Sequence, residues 1–252
     1  MIPAHEFAGS GPPLVLIPGT FSDRRAWLKL LGHLTPRFRC LLFDPRGSGD
    51  TPDQPHAFAP DDLVEDVLQL LDSASIERAS IIGHSLGAGV ALLLSARYPG
   101  RVNRVVACGP TLFMDAYLLT VMELWHAWAQ STLPEHDLHA GLVAQAFARR
   151  AFERLVPAVV REMDRRPMSR DTILRYVDCD RAQDLRLHAH RVDAPTLVVV
   201  GGEDALSGVG QARAVADAVP GARFEVIPAA GHSPHIESPA AFARLVVDFL
   251  SR

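Results

Sequence analysis

Short, mostly apolar runs alternate along this chain with longer stretches in which apolar residues recur every three or four positions. The runs fall at 14–17, 40–43, 79–82, 102–108, 195–200 and 224–227. Each has the length and bounding turns of a strand buried on both faces. Between them, helical spacing is carried by Trp27, Leu30, Leu31 and Leu34 behind a capping Asp23, and by Leu63, Val67, Leu70 and Leu71 behind an acidic first turn. It is also carried by the run after Ser85, by 209–219, and by Phe242, Leu245, Val246, Phe249 and Leu250 at the end. Strand and helix in strict alternation predict a mostly parallel central sheet with helices on both faces. The alternation stops at Thr111. From there to Val192 the pattern is helical only, broken at Pro134, Pro157 and Pro167, which predicts an inserted helical cap over the strand ends. The expected organisation is an α/β core at 1–110 and 195–252 with a cap at 111–194.

Composition narrows the chemistry. A length of 252 residues with 48% apolar content suits a globular α/β domain, and a net charge of −4 gives no broad attraction for nucleic acid. Lys29 is the single lysine and has no glycine-rich loop before it, so Schiff-base and phosphate-cradling chemistry are disfavoured. Cys40, Cys108 and Cys179 are unpatterned, the first residues lack a signal-peptide pattern, and no apolar run reaches the roughly 18 residues of a membrane span. The expectation is a cytoplasmic protein without membrane or nucleic-acid partners, with its state as monomer or homodimer left open.

The stretch 79–98 contains Gly83-His84-Ser85-Leu86-Gly87, a G-x-S-x-G sequence between a predicted strand and a predicted helix. A serine at such a turn needs a strained backbone, and the flanking glycines let strand and helix approach. The turn presents the Ser85 hydroxyl and sets the Leu86 N–H at a helix start, where an oxyanion can be held. Beyond the other strand ends stand Thr20, Asp44, Asp204 and His232. Serine, then acid, then histidine supplies a nucleophile, a base to take its proton, and a carboxylate to orient that base.

These residues resemble the α/β-hydrolase superfamily, in the single-domain branch of esterases and lactonases with a helical cap. The likeness is carried by Pro18-Gly19-Thr20 with Trp27, by Asp44-Pro45-Arg46-Gly47-Ser48-Gly49, by the Gly83 to Gly87 turn, by Gly201-Gly202-Glu203-Asp204, and by Gly231-His232-Ser233-Pro234-His235-Ile236-Glu237. It implies Ser85 as nucleophile, Asp204 as acid and His232 as base, with the N–H groups of Leu86 and of Thr20 or Phe21 as oxyanion donors. No cofactor and no metal are implied. Two positions depart from the family pattern: Pro18 stands where a histidine is usual, and Ser207 where a proline often follows the acid.

Rival readings attach to several of these residues. Glu203 competes with Asp204 for the acid. His235 invites a metal reading, but no ligand spacing supports it. The Gly47-Ser48-Gly49 fragment reads as a turn with a charged latch rather than a phosphate site. Phe21, Trp125 and Trp128 are candidate substrate contacts, with the Trp pair equally readable as the buried face of the cap. The arginines from 161 to 170 read as a solvated face or as a receptor for a substrate carboxylate. The expected activity is hydrolysis of a small to medium carboxylic ester or lactone through an acyl-enzyme on Ser85. Enol-lactone, carbon–carbon, thioester and perhydrolase chemistries share the same constellation, and a ligand-binding receptor with a silent triad is the alternative of another class.

Overall fold

A computed structural model describes residues 2–252. Seven strands form one sheet: β1 (His5–Ala8), β2 (Pro13–Ile17), β3 (Arg39–Phe43), β4 (Ala79–His84), β5 (Val102–Cys108), β6 (Thr196–Gly201) and β7 (Arg223–Ile227). Their order is β1-β3-β2-β4-β5-β6-β7, parallel throughout except for β1, which runs antiparallel to β3 at the edge. The strand β1 was not anticipated from the sequence. An edge strand that leaves three of its four residues exposed carries no apolar run to find.

The apolar runs have a simple cause. Successive side chains point to opposite faces, and both faces are covered. Val15, Leu41, Ile81, Val105 and Val198 pack under α2 (Pro60–Ser73), α3 (Leu86–Arg97) and α8 (Gly208–Ala218). Leu14, Leu16, Leu42, Ile82, Val106 and Val199 pack against α1 (Leu28–Leu34) and the C-terminal α10 (Pro239–Leu250). Helix starts follow local chemistry: α2 opens on Pro60, and Asp62 accepts the Ala59 N–H at 2.8 Å. Asp23 caps as expected, but the first turn behind it, Arg24–Trp27, is a 3-10 turn that becomes α-helical only at Leu28.

The segment between β5 and β6 is helical, comprising α4 (Ala116–Gln130), α5 (Glu135–Ala144), α6 (Arg149–Arg165) and α7 (Arg170–Arg181). A single bridge, Phe113 to Asp184, closes its base. Asp115 and Ser169 cap α4 and α7 through the N–H groups of Leu118 and Thr172. Pro157 does not break the chain as its type suggests. It lies inside α6, whose apolar stripe of Ala151, Leu155, Val156 and Val160 is buried and holds the helix through the missing N–H. A separate apolar cluster joins Leu118, Val121 and Trp125 of α4 to Leu142, Ile173 and Val177.

The strand order reverses between β2 and β4, with Ile17 opposite Gly83 in the register. In open parallel sheets the crevice at that reversal is where ligands settle. The turn at 44–50 stands beside it, latched as anticipated: Arg24 Nη1 meets Asp44 Oδ2 at 2.7 Å, and the Asp50 N–H donates to the same oxygen at 2.8 Å. Burial pushes the Asp44 carboxyl up, against the Arg24 charge and these hydrogen bonds.

Phe242 is fully buried on α10 and seals one face of the sheet. Phe242→Ala should therefore cost about 3–5 kcal/mol, read as a lower urea midpoint with an unchanged slope.

Candidate active site

Only Ser85 separates β4 from α3, and its backbone sits at φ 53°, ψ −120°. This is a conformation that an L-residue adopts only when its surroundings enforce it. Gly83 and Gly87 make the turn possible: a Cβ on Gly83 would run into the Gly87 carbonyl, and one on Gly87 into the carbonyls of Ile17 and Pro18. The Ser85 N–H donates to Cys108 O at 2.8 Å, and its carbonyl accepts from Ala88 at 2.9 Å. Ser85 thereby faces a cavity of about 610 Å³ at the sheet reversal, together with Thr20, Phe21 and Leu86. Leu86 is the first residue of α3, so its N–H has no partner within the helix. Among the described residues, the N–H groups of Thr20 and Phe21 have no backbone acceptor either.

Asp204 follows β6 and His232 follows β7. Gly201 lets these two loops meet, since a Cβ there would collide with the Gly231 carbonyl, and Glu203 N–H donates to Ala230 O at 2.9 Å. The His232 Nδ1–H donates to Asp204 Oδ2 at 2.9 Å, and both side chains are buried. Asp204 Oδ1 accepts the N–H groups of Leu206 and Ser207 at 2.9 and 3.0 Å. Burial opposes charge on both residues, but the pairing prevails: the Asp204 carboxyl lies below its ordinary range, and the His232 imidazole lies above its own. With Nδ1 committed to Asp204, Nε2 is left buried without a hydrogen-bond partner. It makes no hydrogen bond to Ser85, although both residues line the cavity. Such bonds are commonly long before a substrate is bound.

The rival acid lies apart from this pair. Glu203 forms an ion pair with Arg150 of α6. The departure at Ser207 has a local use, since its N–H, which proline lacks, serves Asp204. Its hydroxyl donates to Gly109 O at 3.0 Å and lies 3.3 Å from His232 Nδ1. Glu237 was quoted in the sequence only as part of a motif. Its buried carboxylate accepts Gly231 N–H at 2.9 Å, Ser233 N–H at 3.3 Å and, from the insertion, Ala148 N–H at 2.9 Å.

The cavity walls are mainly apolar, with Met122, Trp125, Leu142, Phe147, Met163 and Leu206 among them. Phe21 packs on Trp125 at 5.3 Å between ring centroids. Trp128, the other aromatic candidate, lies off the cavity and packs over Gly141 of α5. Of the arginines from 161 to 170, Arg166 reaches the cavity rim, where it pairs with Asp50 at 3.1 Å. Arg170 is spent on the carbonyls of Trp128, Ala129, Ser131 and Leu133 at the end of α4. The sequence reading missed Asp180 on α7, a buried acid on the cavity wall that accepts the Thr20 hydroxyl at 2.7 Å. Its signal was present: Ile173, Tyr176, Val177 and Asp180 share one helical face.

His235 belongs to a buried stack rather than to the cavity wall. Its ring lies 4.4 Å from that of His84 and 4.7 Å from that of Trp27. Burial drives the His84 imidazole down to about 3 and that of His235 well below its ordinary value, so both are neutral. The potential ligand atoms of His84, Cys108 and His235 lie within 4.8 Å of one another. Of these three residues only His84 touches the cavity, so an ion held among them would lie largely outside it.

The family model described as the alpha/beta hydrolase fold matches residues 12–239. Pyrrolizixenacetamide deacetylase of Xenorhabdus hominickii is 28% identical over 250 residues, covering 96% of this chain and 92% of its own. A hydrolase from Pseudomonas aeruginosa PA01 superposes with a TM-score of 0.90 at 29% identity, covering 98% of this chain and 94% of its own. The enol-lactonase from Burkholderia xenovorans LB400 superposes with a TM-score of 0.89 at 28% identity, covering 99% and 96%. The sheet order, the strained serine turn and the extent of these matches lead to one conclusion: this chain belongs to the alpha/beta hydrolase family.

Proposed function

We propose that the protein is a serine hydrolase cleaving a small to medium carboxylic ester or lactone through an acyl-enzyme on Ser85. One observation carries the reading. The His232 ring, oriented by Asp204 at 2.9 Å, has its Nε2 free in the same cavity as the strained Ser85 turn. In the proposed reaction Ser85 Oγ attacks the carbonyl carbon while Nε2 takes its proton. The N–H of Leu86 and that of Thr20 or Phe21 receive the oxyanion. The imidazolium, stabilised by the Asp204 carboxylate, returns its proton to the leaving alkoxide as the carbon–oxygen bond breaks. Water, deprotonated by His232, then releases the acid and regenerates Ser85. The helical insertion acts as the cap, supplying most of the apolar wall.

The lining favours a neutral, apolar acyl group. Two of the three lining cations are already paired with carboxylates, Arg25 with Asp23 and Glu162 and Arg166 with Asp50, while Lys29 donates only to Ile236 O at 3.3 Å. A substrate carboxylate, as an enol-lactone of dicarboxylic origin would carry, would meet Lys29 alone unless it displaced Asp23, Glu162 or Asp50 from the arginines. The deacetylase relative acts on an amide by its name, so an amide analogue belongs in any substrate panel.

Exposure to a fluorophosphonate should add one probe mass to the wild type and none to Ser85→Ala or His232→Ala, with p-nitrophenyl ester turnover lost in both variants. Absence of labelling in folded wild type, with a ligand that raises Tm equally in wild type and Ser85→Ala, would instead make the protein a receptor.

The pH profile follows from the pair. His232 must be neutral to act as base, and the Asp204 charge raises its pKa above 6.5, so the acidic limb of kcat/KM should be centred above pH 6.5. Asp204→Asn removes that charge. It should move the limb to lower pH while cutting kcat on the order of 10⁴-fold, because the tautomer is no longer fixed.

A further inference from the structure

The loop that would carry the second oxyanion donor is short of support from its own side. Pro18 offers no side-chain hydrogen bond, and within the loop the backbone gives only Ser22 N–H to Gly19 O at 3.2 Å. Phe21 adds a positive φ of 59°, which an aromatic residue holds only under constraint. The constraint comes from the insertion. Asp180 on α7 reaches across the cavity and accepts the Thr20 hydroxyl at 2.7 Å, while Phe21 is wedged against Trp125 of α4 and Tyr176 of α7. Among the described residues the second Asp180 carboxyl oxygen has no hydrogen-bond donor, and the side chain lines the cavity.

The geometry points to Asp180 as a positioning residue for oxyanion stabilisation: by holding Thr20 from the insertion side, it makes a competent oxyanion loop depend on α7 being docked. The inference rests on the acyl-enzyme reading above. It differs from a role in substrate binding because the group acts through Thr20 and so affects the transition state more than the ground state.

The charge on Asp180 matters as well. No arginine or lysine pairs with it among the described residues, and the titratable groups it interacts with are His232 from the core and Tyr176 and Cys179 from its own helix. Burial pushes its carboxyl up to about 7, against the Thr20 hydrogen bond and the attraction of His232. Below that pH it holds Thr20 as a neutral acid. Above it, a carboxylate stands beside the site where a second negative charge must develop. For stability the sign is fixed: burial of Asp180 carries no charge penalty below its unfolded pKa near 3.8, and the penalty grows until pH passes about 7.

The test is a double-mutant cycle of Thr20→Val and Asp180→Leu on p-nitrophenyl butyrate hydrolysis, with the rate of fluorophosphonate labelling followed in parallel. Each single variant should lower kcat and the labelling rate about tenfold or more, with KM changed less than about threefold, and the double variant should lose no more than either single one. Asp180→Asn and Thr20→Ser, which keep the acceptor and the donor, should recover most of the lost rate. Asp180→Asn should also hold its kcat above pH 7, where that of wild type declines, and its Tm advantage over wild type should grow from pH 4 to pH 7. Thr20→Val leaves α7 intact and keeps the test open if Asp180→Leu does not fold. Additive losses, losses confined to KM, or pH profiles of wild type and Asp180→Asn that coincide would overturn the inference. Failure of wild type itself to label at Ser85 would overturn the acyl-enzyme reading and the inference together.

Discussion

Everything around the site accommodates one unfavourable stretch of backbone. Ser85 at φ 53° is a conformation that costs on the order of 1–3 kcal/mol wherever it occurs. It persists because both flanks are fixed. β4 lies in the middle of the sheet, paired on both sides, and α3 is buried over ten consecutive residues from Leu86 to Ser95. Relaxing the turn would move a strand and a helix that have no room to move. The glycines at 83 and 87 are needed for the same reason, since the space a Cβ would require is already occupied by backbone carbonyls.

The Asp204–His232 pair is the second costly feature, because two ionisable groups are withdrawn from water. Its partners meet the cost locally. Asp204 receives two N–H groups besides the imidazole, so the carboxylate is solvated by fixed dipoles even when His232 is neutral. The loop that carries His232 is in turn held by Glu237, whose three N–H donors come from Gly231, Ser233 and Ala148. Positions of the base and of the insertion are thus tied through one carboxylate. A loop without regular structure keeps the imidazole in place because the N–H groups of Ala230, Gly231 and Ser233 are claimed.

The legible part of the molecule was the part set by periodicity. The apolar runs at 14–17, 105–108 and 197–200 proved to be strands because burial on both faces leaves no polar alternation, and the Gly83 to Gly87 spacing located the turn because its sterics admit little else. Features that depend on tertiary partners were harder to read. β1 exposes most of its residues, and Pro157 is carried by a buried stripe on either side of it. Trp125 and Trp128 are chemically alike, and only the rotation of α4 against α5 and α7 decides which of them meets the cavity. Asp180 sat on an apolar helical face in plain view. Among so many charged residues of the insertion it was unremarked, because burial of a single acid is decided by what the helix packs against.

This division suggests how a family of shared chemistry comes to have many substrates. The Ser85 turn, Asp204 and His232 all hang from the carboxyl ends of sheet strands, where register leaves them little freedom. The apolar walls of the cavity come largely from α4 to α6, which pack in clusters of their own. Residues on those helices can change without disturbing the strained turn, so long as the tethers remain: Ala148 on Glu237, Asp180 on Thr20, and the ion pairs of Arg150 with Glu203 and of Arg25 with Glu162. All four tethers join the insertion to loops that carry or flank the site. The wall is therefore free to change, while the geometry of the Ser85 turn and its surroundings is constrained from both sides.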